Sequence, residues 1–63
     1  MCEAKVFLEQ ENSRELLMDD VVSIKPTKDG LSLMDILGRE KSVAAKIKEV
    51  QLLEHAVLLE PLG

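Results

Sequence analysis

The chain reads as a small all-β protein, either a barrel or a sandwich. Two observations predict this. Turn-forming residues recur at short, even intervals, and the segments between them alternate apolar with polar residues.

The turns divide the chain as follows. Gln10 to Ser13, within EQENSRE, is a polar interruption rich in turn formers. KPTKDG ends in Asp29-Gly30, a strong hairpin signal between apolar segments. Gly38 in LGREK separates two further segments, and Pro61 and Gly63 close the sequence. There is no linker, repeat or low-complexity stretch, so residues 1–63 are read as one domain.

The segments follow in order. CEAKVFLE places Cys2, Ala4, Val6 and Leu8 on one face and Glu3, Lys5 and Glu9 on the other, the pattern of a half-buried strand. Phe7 falls on the polar face, either as scattered exposure or as a subunit contact. DDVVSIKP puts Val22 and Ile24 on one face, and Pro26 restricts that segment to a strand end or edge. LSLMDILG is apolar on both faces, as for a strand whose outer surface is covered. EKSVAAKIKEVQLLEH reads two ways. As a strand it turns Val43, Ala45 and Ile47 inward, then changes phase at Glu49, as a β-bulge would cause. As a helix it aligns Val43, Ile47, Val50 and Leu53 on one stripe. HAVLLEP is a final strand.

Size bears on what the fold needs. For 7.0 kDa, folding buries on the order of 6,000 Å², about 3,700 Å² of it apolar. At ~25 cal/mol per Å² this contributes roughly 90 kcal/mol. Ordering the chain costs about 1.5 kcal/mol per residue, which cancels nearly all of it. A lone monomer is marginal, and the single cysteine cannot form an internal disulfide. A partner subunit or a metal is the economical remedy.

Composition narrows the setting. One unpaired cysteine, no basic-then-apolar leader and no uncharged stretch approaching a membrane span all fit a cytoplasmic protein. The net charge is −4 and Phe7 is the sole aromatic residue, which argues against nucleic-acid binding through phosphates or stacked bases.

Catalysis has little to work with. Cys2 and His55 are the only thiol and imidazole, far apart in sequence, and nothing in their spacing sets up a nucleophile and base. The carboxylates, Asp19-Asp20 included, read as turn formers and solvated surface. There is no glycine-rich phosphate loop and no zinc-type Cys/His spacing. The chain is therefore not expected to be an enzyme. Cys2 has two readings. It is a small buried hydrophobe at a strand start, or it is a metal ligand. Removal of Met1 would place an amine and a thiolate on one residue, a chelate suited with backbone nitrogen to Ni(II) or Cu(II). A two-fold axis would turn one cysteine per chain into a pair.

The opening MCEAKVFL, with DGLSLMDILGREKSV and the closing HAVLLEP, resembles the CooT family of small nickel-binding proteins across essentially the whole chain. The resemblance implies an SH3-like β-barrel that forms a homodimer. It also implies one Ni(II) per dimer, held at the subunit boundary by Cys2 of each chain, and delivery of nickel for maturation of carbon monoxide dehydrogenase. Cys2 alone carries over as a ligand, and Glu3 contributes through its backbone amide. With Met1 retained, the donors become thiolate and backbone amide nitrogen. His55 is read as a polar residue at a strand start rather than as a ligand. The expectation is a cytoplasmic nickel metallochaperone whose partners are a second copy and a nickel enzyme or its maturation proteins. The alternative is a small β-barrel module for protein interaction or RNA binding, with Cys2 structural.

Overall fold

Alternation in the sequence becomes six strands in the computed structural model, which describes residues 3–63. They are β1 (Ala4–Gln10), β2 (Ser13–Thr27), β3 (Gly30–Asp35), β4 (Glu40–Val43), β5 (Ala45–Gln51) and β6 (Ala56–Pro61). No helix occurs among the described residues, so the helical reading of residues 43–53 falls. The strand reading holds for Ala45–Gln51, but Leu52 and Leu53 lie in a turn. Ile47, expected inward, is exposed because it sits at the edge of the bulge on an edge strand. The strands form one curled sheet, a half-barrel, in the order β4-β3-β2-β1-β6-β5. Neighbours are antiparallel except β1 and β6, which run parallel.

Three turns fall where the sequence places them. Glu11-Asn12 joins β1 to β2, Lys28-Asp29 joins β2 to β3, and Gly38 lies between β3 and β4 with φ of 83°. The phase break near Glu49 is a register shift between Ile47 and Glu49, where β5 carries one residue more than β6.

β2 departs from the sequence reading. It is a single strand of 15 residues rather than a short segment. It pairs with β1 over residues 13–21 and with β3 over residues 21–27, and it bulges along both ladders. An extra β2 residue enters opposite Ala4–Val6, another opposite Val6–Phe7, and a third between Val21 and Ser23 against β3. Each bulge raises local twist, and together they curl the sheet over its own core. Asp20 sits in the first bulge with φ of 54°, where aspartate is tolerated. The third bulge corrects the expected pairing of Val22 with Ile24. Val21 is buried at 3% exposure, Val22 is 51% exposed, and Ile24 packs on the core. Beyond Val21, β2 pairs with β3 alone, which is where Pro26 costs no ladder bond to β1.

The core joins Val6, Val21, Leu31, Leu33, Ala45, Val57 and Leu59 from five of the six strands. Curling also brings the two edge strands together. β4 and β5 are consecutive in the chain and meet at Ala44 alone. Gly30 makes that corner fit, since its φ is 149° and a Cβ there would lie 2.1 Å from the Val43 carbonyl oxygen.

Asp35 is the buried polar side chain of the core region, 3% exposed. It knots the β3–β4 turn. Its Oδ1 accepts from the amides of Leu37 (3.0 Å) and Arg39 (2.9 Å), and its Oδ2 accepts from Arg39 Nε (2.7 Å). Burial pushes this carboxyl up, but the Arg39 amide, the Arg39 guanidinium and the Leu37 amide outweigh it. The net effect holds Asp35 below the usual carboxylate range.

Gly30→Ala should cost about 2–3 kcal/mol or more, because both the backbone angle and the corner must yield. Thermal unfolding should show a midpoint lowered by ~10 °C or more. A midpoint within a degree or two of wild type would contradict this account of the corner. Asp35 contributes stability above its unfolded pKa of about 3.9 and loses it as pH falls through the lower folded value. Asp35→Asn should therefore be less stable at neutral pH, and its stability should fall less steeply below about pH 4. Urea melts across pH 2–7 would read this, and an unchanged acid limb would contradict it.

Candidate functional site

The parallel pairing of β1 with β6 sets the geometry of one end of the sheet. Lys5 lies opposite Ala56, and its amide donates to the His55 carbonyl (2.9 Å). The residues entering both strands are thereby brought side by side. β5 reaches the same end and turns back through Leu52–His55. The His55 amide donates to the Leu52 carbonyl (3.2 Å), and His55 takes φ of 53°, a conformation histidine enters more readily than most residues.

A hollow of about 260 Å³ forms there. Ala4, Val50, Leu52, Ala56 and Val57 give it an apolar wall, and Glu3 and His55 bring polar groups to its edge. Sequence reasoning singled out Glu3 and His55 separately, and the fold unites them. Cys2 lies outside the described residues, one peptide bond before Glu3. No three His, Cys, Asp or Glu side chains converge as a metal-holding group among the described residues.

The signal that sequence reading missed is Leu52-Leu53. Both sat in an ambiguous apolar run, and Leu53 belonged to the stripe of the rejected helix. In the fold they form the exposed turn before β6, with Leu52 79% and Leu53 95% exposed.

The opposite end of the sheet has a different character. A wider, open hollow of about 1020 Å³ lies between the β1–β2 turn and the chain around Pro61. Three of its charges satisfy one another. Glu9 accepts from Lys48 Nζ (2.9 Å) and from Arg14 Nε (2.9 Å), and it pairs with the Arg14 terminal nitrogen. Lys48 first and Arg14 second hold the Glu9 carboxyl below its ordinary range, and Glu9 in turn raises Lys48. The Arg14 guanidinium also lies 5.4 Å from the Phe7 ring centroid. Phe7 is thus half-covered by its own chain. Asp19 pairs with Lys5 (3.0 Å), and its Oδ1 accepts from the Asp20 amide (2.8 Å), so this acidic pair shapes the β2 bulge.

Residues 1–60 match the family described as CO dehydrogenase accessory protein CooT. An uncharacterized protein of Methanothermobacter thermautotrophicus is 33% identical over 60 residues, covering 95% of this chain and 89% of that protein. The crystal structure of a protein assigned as CooT from Carboxydothermus hydrogenoformans is 39% identical. It has a TM-score of 0.92, with 98% of this chain and 100% of that chain covered.

His55 should have separable backbone and side-chain roles. Proline cannot adopt its positive φ or donate to Leu52, so His55→Pro should lose about 3 kcal/mol. His55→Asn keeps both features and should stay within about 0.5 kcal/mol of wild type. Denaturant midpoints would distinguish them, and equal midpoints for the two variants would contradict the turn geometry.

Proposed function

The chain belongs to the CooT family of CO dehydrogenase accessory proteins, and from that premise we propose that it is a nickel metallochaperone. It acts as a homodimer with one Ni(II) at the subunit boundary, held through Cys2 of each chain. It delivers the ion to a nickel enzyme such as CO dehydrogenase, and it is not itself an enzyme. The curled sheet is read as an SH3-like barrel, and the setting as the cytoplasm.

The observation that carries this reading is the family match, which includes Cys2 and Glu3. Donor arithmetic supports the shared site. Glu3 and His55 are the ligating side chains at the hollow, and two donors do not fill a four-coordinate site. Two copies of the Cys2–Glu3 segment supply two thiolates and two backbone nitrogens. Such a sulfur and nitrogen set suits square-planar Ni(II). The same set would hold Cu(II) more tightly by intrinsic affinity, so selectivity falls to metal availability and to docking on the client. Glu3 is half-buried beside the hollow and immediately precedes β1, which supports a backbone donor at that position.

Titration with Ni(II) should reach saturation at half an equivalent per chain and develop a thiolate-to-metal absorption band. Cys2→Ser should lose both while keeping its dimeric mass and circular dichroism. Unchanged affinity and stoichiometry in that variant would overturn the proposal.

A further inference from the structure

We propose that His55 is the exchange ligand of the nickel site, the donor through which the ion enters and leaves. The inference rests on the proposed Cys2 site and assigns a further residue to it. It gives the chain's one imidazole a part in the rate of transfer, not in the resting coordination.

Three observations lead there. The first is place. β1 and β6 are parallel neighbours, and neighbouring strands lie about 4.8 Å apart. The His55 carbonyl accepts from the Lys5 amide (2.9 Å), so the residue entering β6 is pinned beside the start of β1. His55 and Glu3 line the same hollow. Cys2 is the residue before Glu3, and adjacent Cα atoms are about 3.8 Å apart. The second is constraint. The His55 amide also donates to the Leu52 carbonyl (3.2 Å), so both of its backbone groups are held. The residue is nevertheless exposed. A ring tethered to a held backbone beside the ion is a donor at high effective concentration.

The third is ligand chemistry. Imidazole suits nickel, whereas carboxylate suits harder ions, so His55 rather than the Glu3 side chain is the nickel donor at the hollow. The thiolates and backbone nitrogens of the proposed site fill a square plane and leave its two faces open. Substitution at square-planar Ni(II) proceeds by addition of a fifth donor before an old one departs. On release, the imidazole lone pair forms a nickel–nitrogen bond. A bond from nickel to a backbone nitrogen then breaks, and that nitrogen takes a proton from solvent. No electron moves, and nickel stays divalent until the acceptor's donors replace the rest. Capture runs the same path backwards. His55 therefore speeds both directions equally and leaves the equilibrium where the resting donors set it.

The test uses the full chain loaded with Ni(II) and mixed with excess EDTA, with the thiolate-to-metal band followed in time. His55→Asn keeps the turn, and it should slow release and loading alike by about 10-fold, so that their ratio stays constant. Free imidazole added to the variant should restore the wild-type rates, which a purely structural role does not predict. Circular dichroism and dimeric mass should match wild type. Wild-type exchange rates in His55→Asn would overturn the proposal and leave the nickel site intact. So would faster release with weaker affinity, which marks a resting ligand, and so would a slow variant that imidazole does not rescue. A wild-type chain that takes up no nickel, or a Cys2→Ser variant that binds it unchanged, overturns the site itself and this proposal with it.

Discussion

The parallel pairing of β1 with β6 is the constraint on which the rest of the molecule depends. It joins the β1–β4 part of the sheet to the β5–β6 hairpin, and among the described residues no other ladder does so. Val6 and Leu59 are fully buried near this seam, so the pairing is also the centre of the core. Antiparallel pairing at the same place would put the start of β6 beside the end of β1. Glu3 and His55 would then lie at opposite ends, and there would be no hollow between them.

A second constraint is the length of β2. A flat strand of this length could not serve both β1 and β3 around a small core. Its three extra residues supply the bend, and Gly30 lets the resulting edges meet at Ala44. The sheet's two ends then diverge chemically. One end carries the paired Glu9, Arg14 and Lys48, with Arg14 over an aromatic ring. The other is apolar and exposed, and it carries the residue that follows the cysteine.

How much of this was legible in the sequence depends on range. Local features were readable because their chemistry is local. Asp29-Gly30 marked its hairpin, the alternation through Ala4, Val6 and Leu8 marked the core face of β1, and the phase break before Val50 marked a bulge. Val22 misled because a bulge inserts one residue without leaving a compositional trace. Asp35 read as surface because its partners are amides and Arg39, which become a binding pocket only once the turn closes. The resemblance named Cys2 and Glu3 as ligands, which remains a proposal. The approach of His55 to Glu3 was not legible, since it depends on a pairing between the two extremes of the sequence.

That pairing also sets an order of events in folding. The β1–β2, β2–β3 and β5–β6 ladders close short loops, whereas Lys5 and Ala56 are separated by nearly the whole chain. Closing a loop of about 50 residues instead of about 10 costs roughly 1.4 kcal/mol more in entropy, so hairpins precede the parallel seam. The hollow therefore belongs to the last contacts made and the first released. A chain that has not finished folding has no assembled end face, which makes the site a reporter of completed folding.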